Sequence, residues 1–421
     1  MLMTIKQISE TIKEYIGSKE YDKLNQLQDL YDADNPEIIA RGAEKQARGK
    51  TPNNVIPTGY YSTVTNTMGG YMFLDVQYIC DDLNLQANMD AINEANNVPA
   101  EDMKIGLSAL AYNKGIEYIY TDESSEIKIR KLSQINTIII RSDDIDETPT
   151  AAINFRRVNK EENIYTVLYI EPTLEIKFTL KDDAAADIEE RTLLFDDLPV
   201  IEYKAQILGK KAPFEVVIPY IRGLDALISG NANEIDRLVE ALLVLGKDMS
   251  EEELAHSEEW KALLNFSKED RAEYLVKEMS PEFRKYVSEL LIMEIYKHAH
   301  VVDWNSESGQ ASDASGAAWD RRIQDMKMFS KTIEMAYREG AHLRLKAIDK
   351  IAAPLKMPIG KVKIIYNRTN VDDKVDKAVK LSTVTFMSDI TKREMIGIDE
   401  EKEQERLAIE RPAGIVIEDA L

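Results

Sequence analysis

The side chains that could carry acid–base or metal chemistry in this sequence are few, and their spacing does not favour it. Four histidines occur, at His256, His298, His300 and His342. His298 and His300 are two residues apart, so on a helix they would point in different directions. Glu294 and His298 could pair at i,i+4, but a metal site usually needs three or four well-placed ligands. We expect a pair on a helix surface here rather than a metal centre.

The carboxylates and the single thiol also lack catalytic partners in the sequence. Acidic pairs at Asp81–Asp82, Asp143–Asp144 and Asp196–Asp197 are typical of turns and solvated faces, although a two-metal hydrolase built on them stays open as an alternative. Cys80 follows two apolar residues, which favours a packed thiol, and a single cysteine excludes an intrachain disulfide. No phosphate-binding GxxxxGKS/T loop, HExxH, GxSxG or EF-hand motif occurs. We therefore expect a protein that is not an enzyme and has no cofactor or metal.

The composition allows a large core but opposes tight binding to nucleic acid. The 421 residues are 44% hydrophobic, and 53 basic against 75 acidic residues give a formal charge of −22. Counterion release needs many cations, so such a chain could surround DNA without gripping it. No apolar run reaches the roughly 20 residues that span a bilayer, and the N-terminus has no signal-peptide pattern. The expected setting is soluble and reducing.

The first half of the sequence predicts helices followed by strands. Ile5, Ile8, Ile12 and Ile16 form an amphipathic stripe, and residues 101–112 read as a helix with Asn113 and Gly115 as its stop signals. Residues 116–205 are rich in β-branched and aromatic residues, and their alternation predicts half-buried antiparallel strands. The fold class expected from this order is α+β.

The second half predicts long helices around a polar segment. Residues 221–246 read as one helix with the stripe Ile221, Leu224, Ile228, Ile235, Leu238, Leu242 and Leu245. Ser280 and Pro281 open a second helix that includes Leu290. A Gly/Ser-rich segment at 303–317 precedes a helix of roughly 50 Å that begins near Trp319. Its predicted apolar stripe is Trp319, Ile323, Met326, Ile333, Tyr337, Ala341, Leu345, Ile348 and Ala352. A strand at 361–367 and a charged helical tail follow. Helices of this kind fit either an ordinary bundle with an exposed loop or a channel built by several copies.

Five segments, in the same order, resemble the SPP1-type, gp6-like portal proteins of tailed bacteriophages. They are PNNVIPTGYYSTVTNTMGGYMFL (52–74), ALAYNKGIEYIYTDESSEIKIRKL (110–132), GLDALISGNANEIDRLVEALLVLGK (223–247), SGAAWDRRIQDMKMFSKTIEMAYREGAHLRLKAI (315–348) and TFMSDITKREMIGIDEEKEQERLAIE (385–410). The resemblance covers nearly the whole chain. The segment at 247–280 and the tail are short for the family.

The resemblance implies a portal-like division of the α+β chain: a mixed α/β wing, a two-helix stem, a small and mostly helical clip, a long kinked helix and a short helical crown. The implied boundaries are wing 1–220, stem helix one 221–246, clip 247–280, stem helix two 281–302, tunnel loop 303–318, long helix with a strand returning to the wing 319–371, and crown 372–421.

The resemblance also implies a function. Portal proteins form a ring, usually of twelve copies, at one capsid vertex of the virion, where double-stranded DNA is packaged and ejected. The implied partners are further copies of the chain, the terminase large subunit, a head–tail adaptor, and the major capsid and scaffolding proteins, with assembly in the host cytoplasm. No membrane partner is implied. Another virion ring, such as a head–tail adaptor, is the alternative, though the length and the two stem helices disfavour it.

The portal interpretation assigns roles to specific residues. The tunnel loop that lines the DNA channel would use Asp303, Asn305, Ser306, Glu307, Ser308, Gly309, Gln310, Ser312, Asp313 and Ser315. The clip would dock partners through Glu251, Glu252, Glu253, Glu258 and Glu259, and the stem would oligomerise through Leu238, Leu242, Leu245 and Leu290. The basic residues Arg321, Arg322, Lys327 and Lys331 could contact phosphate or neighbouring subunits, or form a solvated helix face. Gly340 could be a hinge in the long helix or a site of close helix contact.

Overall fold

The computed structural model describes residues 3–40, 54–159, 162–181, 183–239, 243–245, 272–274, 281–303, 323–368 and 382. The helices are α1 (Ile5–Ile16), α2 (Lys19–Tyr31), α3 (Tyr60–Phe73), α4 (Leu83–Asn96), α5 (Val98–Tyr112), α6 (Ile218–Val239), α7 (Pro281–His298) and α8 (Gln324–Ala352). The strands are β1 (Asp75–Cys80), β2 (Gly115–Thr121), β3 (Ile127–Leu132), β4 (Thr137–Arg141), β5 (Pro149–Asn159), β6 (Ile164–Ile170), β7 (Leu174–Lys181), β8 (Ala184–Thr192), β9 (Val200–Tyr203), β10 (Leu243–Leu245), β11 (Ala272–Tyr274) and β12 (Val362–Asn367). A 3₁₀ turn at Pro213–Val217 leads into α6.

The predicted β-rich region forms an antiparallel five-stranded sheet in the order β4-β5-β6-β7-β8, covered on one face by α1. The register places Phe155 opposite Val167, and Val167 opposite Phe178, so one face of the sheet is apolar. Ile8 and Ile12 of α1 are buried against this face. Thr4 begins α1 with a capping box to Gln7. The predicted α1 stripe and the antiparallel strands are confirmed.

A three-stranded sheet, β3-β2-β9, lies at the centre of the main core. Asn113 ends α5 in the left-handed conformation, with φ of 54°, as the predicted stop requires. Its side-chain oxygen accepts hydrogen bonds from the backbone N–H groups of Ala205 and Gln206 at 2.9 and 3.0 Å. One asparagine therefore ends the helix and also fixes the chain after β9.

The long helix α8 crosses this core, and its predicted apolar stripe is confirmed. The stripe residues Ile323, Met326, Ile333, Tyr337, Ala341, Leu345, Ile348 and Ala352 are all buried. At 1.5 Å per residue the 29 residues of α8 span about 43 Å. Its predicted start at Trp319 lies outside the described residues. The predicted return strand is β12, which pairs antiparallel with β1.

The helix predicted to continue to residue 246 ends instead at Val239, and Leu245 lies in strand β10. Strand β10 pairs antiparallel with β11, Leu245 opposite Ala272. A run of consecutive apolar residues suits a strand as well as a helix, and a partner strand satisfies its backbone groups. Within the segment 247–280, which was predicted to be mostly helical, the described residues are those of β11. The α+β class is confirmed, with helices and antiparallel sheets throughout the described residues.

Candidate functional site

Helices α6 and α7 pack against each other and leave one face of α7 apolar and exposed. Arg284 of α7 forms an ion pair with Glu234 of α6, and the rings of Tyr220 and His298 stack with centroids 5.3 Å apart. The exposed face, called here the α7 stripe, consists of Phe283, Tyr286, Leu290 and Met293, with exposed fractions of 61, 62, 37 and 53%.

The spacing of three, four and three residues places the α7 stripe on a single side of the helix. Ile235 on α6, predicted to lie in an apolar stripe, is 63% exposed as well. Contiguous apolar area on a protein surface marks an interaction site more often than chance exposure does. The stripe therefore fits contact with another polypeptide.

An extended segment, residues 54–58, holds α6 in place through a ladder of hydrogen bonds. The backbone N–H groups of residues 54, 56 and 58 donate to Asn233, Ser229 and Asp225 at 2.5, 3.0 and 2.8 Å. These acceptors recur every four residues, about 6 Å along a helix, and two residues of extended chain cover a similar 6.6 Å or so. The hydrogen bonds therefore form in register, because the acceptors along α6 and the donors along residues 54–58 have nearly the same spacing.

Asp225 is the buried anchor of this ladder. Its carboxylate also accepts hydrogen bonds from the Thr58 hydroxyl at 2.6 Å and from the Asn35 amide at 2.9 Å. A buried carboxylate is tolerated where donors surround it in this way. The N-terminal helices and α6 are thereby joined by polar contacts as well as by the core.

The end of α7 and the start of α8 are fastened to each other. Nδ1 of His300 lies 2.8 Å from Oδ2 of Asp325, and the His300 ring packs on Phe329 with centroids 4.5 Å apart. His300 has φ of 53°, a left-handed position that usually belongs to glycine at a helix end. The N–H of Val301 donates to the carbonyl of Tyr296 at 3.1 Å, which completes a Schellman motif. The C-terminal end of α7 and the N-terminal end of α8 therefore lie in contact with each other.

Two tyrosines and Asp303 form the surroundings of this junction. Tyr60 and Tyr296 contact edge to face with centroids 5.9 Å apart. Burial, with the Asp303 carboxylate as a second cause, raises the pKa of Tyr296 to about 12, and the same two causes raise the pKa of Tyr60. Both phenols stay neutral near pH 7, so Asp303 supplies the negative charge here.

A buried ionic network fixes α8 to the central sheet. The guanidinium of Arg344 binds Glu117 through two hydrogen bonds of 2.8 and 2.7 Å and also binds Asp102. Tyr203 donates to Glu117 at 2.7 Å, while Tyr78 accepts from Arg344 at 2.6 Å and donates to Asp102 at 2.8 Å. The side chains of Arg344, Asp102 and Glu117 are at most 4% exposed.

Burial and charge act in opposite directions within this network. Burial alone would lower the pKa of Arg344, but the Asp102 and Glu117 carboxylates raise it well above its usual value. Burial raises the pKa of Glu117 although Arg344 opposes the shift. The sequence does not predict this network, because Glu117 and Asp102 lie 227 and 242 positions before Arg344.

Gly340 lies where α8 passes over the ring of Tyr203. A β-carbon at Gly340 would lie 2.7 Å from the nearest ring carbon, which is too close for any other residue without movement. Of the two predicted reasons for this glycine, a close contact is present, although its partner is a strand residue rather than a helix. The hinge stays a prediction.

The structure places only part of the predicted site residues. Asp303 lies at the α7–α8 junction, Leu290 in the α7 stripe, and Lys327 and Lys331 on α8. Leu238 is in α6, and Leu245 is in β10. The predicted residues outside the described ranges are Leu242, Glu251, Glu252, Glu253, Glu258, Glu259, Asn305, Ser306, Glu307, Ser308, Gly309, Gln310, Ser312, Asp313, Ser315, Arg321 and Arg322.

Two general classes of site are absent from the part of the chain that the structure describes. No cluster of three or more His, Cys, Asp or Glu side chains there could hold a metal ion. No helix there is both long and apolar enough to cross a membrane.

Comparison with known proteins gives one family and several solved structures. The family described as phage portal protein, SPP1 Gp6-like, matches residues 11–413. The neck of an empty gene transfer agent particle, computed with C6 symmetry, is 12% identical with a TM-score of 0.46 over 82% of this chain and 91% of that chain. The neck of the native particle, computed with C12 symmetry, is 12% identical with a TM-score of 0.43 over 81% and 91%. The virion of the native particle is 11% identical with a TM-score of 0.43 over 82% and 91%. No curated protein sequence matches.

Proposed function

Because the chain belongs to the SPP1 Gp6-like family of phage portal proteins, a family of structural virion proteins, we propose that it forms a ring at one capsid vertex. Double-stranded DNA passes through the ring during packaging and ejection. The terminase large subunit docks on it first, and the head–tail adaptor replaces the motor when packaging ends. Capsid and scaffolding proteins surround it.

The exposed α7 stripe is the observation that supports the formation of a ring. Tyr286, Leu290 and Met293 are large apolar side chains on one helix face, and the described residues of the chain leave them 62, 37 and 53% exposed. Such a face can close a ring when it meets a different surface on the next copy, because a heterologous contact repeated by rotation returns to its start. The net charge of −22 suits a channel, since acidic walls repel phosphate evenly and let DNA slide.

The division of the chain follows from the same proposal. Helices α6 and α7 form the stem, and β10 with β11 starts the clip, where Glu251–Glu253, Glu258 and Glu259 dock partners. The segment from Asp303 to residue 318 is the tunnel loop, and residues 372–421 form the crown. Helices α1–α5, strands β1–β9 and β12, and the end of α8 form the wing. The His300–Asp325 contact supports the loop assignment, because it fixes both ends of that segment at one place.

The test is the assembly state of the full-length protein. Native mass spectrometry and negative-stain microscopy of the wild type should show rings with a central hole. The double variant Tyr286→Ser with Met293→Ser should fall to monomers, because it removes apolar area from the α7 stripe.

A matched control places the same change elsewhere. Val158→Ser with Ile188→Ser removes two side chains of the five-stranded sheet that are 64% and 50% exposed, and rings should persist. A wild type that remains monomeric at high concentration would contradict the proposal, and so would a stripe variant that assembles as the wild type does.

A further inference from the structure

The loop that follows β9 exposes two aliphatic side chains between lysines. Leu208 has an exposed fraction of 98%, and its neighbour Ile207 has one of 58%. Three exposed lysines, Lys204, Lys210 and Lys211, flank this pair. Residues 204–211 are called here the Leu208 loop. The loop presents apolar surface at its tip and positive charge around it, a combination that suits contact with another polypeptide.

Two side chains fasten the backbone of the Leu208 loop on both sides of its tip. Asn113, which already accepts from the two N–H groups before the tip, donates to the carbonyl of Gly209 at 3.0 Å. Lys23, itself paired with Glu215 at 2.7 Å, donates to the carbonyl of Lys210 at 3.2 Å. The tip is therefore presented by an ordered backbone, and a preformed loop loses little conformational freedom when it binds.

The positive charge of the Leu208 loop is only partly balanced within the described residues. Lys204 lies 3.9 Å from Glu202, and this carboxylate also pairs with Arg141. No carboxylate of the described residues forms an ion pair with Lys210 or Lys211. In a chain with a net charge of −22, two such lysines beside an apolar tip favour an acidic partner.

The chain itself carries a turn of the opposite charge between β4 and β5. Residues 143–147, called here the Ile145 turn, are all exposed. Ile145 at the tip has an exposed fraction of 102%. The residues around it are all acidic: Asp143, Asp144, Asp146 and Glu147. The turn therefore offers what the Leu208 loop lacks, which is negative charge around an aliphatic side chain.

The Ile145 turn is ordered by contacts of its own. Asp144 accepts a hydrogen bond of 2.7 Å from Ser142, and Arg141 donates to the carbonyl of Glu147 at 3.1 Å. The Ser142 hydroxyl and backbone N–H groups lower the pKa of Asp144, so this carboxylate is charged near pH 7. The guanidinium of Arg141 already pairs with Glu202, so the turn keeps its negative charge.

The two tips do not cover each other within one chain, because Ile145 and Leu208 are both almost fully exposed. We propose that, in the ring proposed above, the Leu208 loop of each copy receives the Ile145 turn of the next copy. Ile145 then packs on Leu208, and the carboxylates of the turn face Lys210 and Lys211. The inference rests on the proposed ring. It adds a contact separate from the α7 stripe, between two different surfaces, as a closed ring requires.

Disulfide trapping tests the contact directly in the full-length chain. In a Cys80→Ser background, Ile145→Cys combined with Leu208→Cys should give a ladder of covalent multimers on a non-reducing gel after mild oxidation. The ladder should extend beyond the dimer, because each copy in a ring is linked to two neighbours. Ile188→Cys combined with Leu208→Cys is the control, because Ile188 is an exposed isoleucine of β8.

The pattern of bands decides between the outcomes. Bands that end at the dimer would mean that two copies pair face to face, and they would overturn the inference. Rings in the micrographs without cross-linking above the control would also overturn the inference and would leave the ring intact. Absence of rings in the wild type would instead overturn the proposed function.

A charge swap tests the same contact without cysteines. Lys210→Glu with Lys211→Glu reverses the charge of the loop, and Asp143→Lys with Asp146→Lys reverses two charges of the turn. Each pair of changes should raise the protein concentration for half-assembly about tenfold, because each places like charges together. The variant with all four changes should return to within about threefold of the wild type, since the attraction is restored in reverse.

The matched control is Lys361→Glu with Lys363→Glu, which reverses two exposed lysines at the start of β12 and should leave assembly unchanged. Failure of the fourfold variant to recover would overturn the inference. So would a Lys210→Glu, Lys211→Glu protein that assembles as the wild type does but loses binding to linear double-stranded DNA, because the loop would then recognise phosphate.

Discussion

Around α8 the chain buries a charged arginine completely, whereas along α7 it exposes four large apolar side chains to solvent. Each region departs from the usual distribution of residues, in opposite directions. The difference lies in where the partners are. Arg344 finds its two carboxylates and Tyr78 within the same chain, so its network is complete in a single copy. Tyr286, Leu290 and Met293 of the α7 stripe are not covered in this way by the described residues, and in the proposed ring a neighbouring copy covers them.

The largest expected effect follows from removing the charge at the centre of the buried network. Arg344→Met leaves Asp102 and Glu117 buried without a cation, which costs about 3–5 kcal/mol of unfolding free energy. Urea denaturation followed by circular dichroism measures the loss. Arg338→Met is the control, because its side chain is 40% exposed and its loss should cost less than about 1 kcal/mol. Equal losses of unfolding free energy in the two variants would show that burial of the arginine does not determine the cost of removing its charge.

A smaller effect is expected where α8 crosses Tyr203. Gly340→Ala brings a methyl group to within 2.7 Å of the ring and should cost about 1–3 kcal/mol, as overpacking does. Gly230→Ala in α6 is the matched control. No atom lies within 4 Å of its β-carbon position, so alanine should stabilise the helix by about 0.5–1 kcal/mol. Thermal unfolding of both variants gives the comparison, and a neutral Gly340→Ala would mean that Tyr203 moves aside easily.

The sequence predicts the helical stripes well but not the contacts that complete them. The apolar positions of α8 are evident from their spacing alone, because an amphipathic helix has one buried face. Arg344 stands beside that stripe in the sequence as an ordinary basic residue, and only the fold brings Glu117 and Asp102 to it. Leu245 shows the converse limit, since local pattern favoured a helix and a distant strand, Ala272–Tyr274, decided the outcome.

Some residues of the candidate site also have a signal in the local sequence, whereas others depend on contacts that only the fold creates. His300 carries no local signal for its role, because its partners Asp325 and Phe329 lie on the far side of the polar segment. The ladder on α6 could have been suspected from Asp225, Ser229 and Asn233, three polar residues spaced by four within an apolar helix. What they bind, an extended segment about 175 positions earlier, depends on tertiary structure.

The smallest expected effect on the free energy of unfolding comes from changing the α7 stripe. It tests directly whether the stripe, unlike the Arg344 network, lacks partners within its own chain. Tyr286→Ser with Met293→Ser changes exposed side chains, so in dilute monomeric protein the unfolding free energy should stay within about 0.5 kcal/mol of the wild type. The same variant is expected to abolish assembly, as proposed above. Urea denaturation below the assembly concentration separates the two effects. A loss of unfolding free energy of about 2 kcal/mol or more is what removing a buried apolar side chain costs. Such a loss would mean that the α7 stripe packs against its own chain and is not an interface.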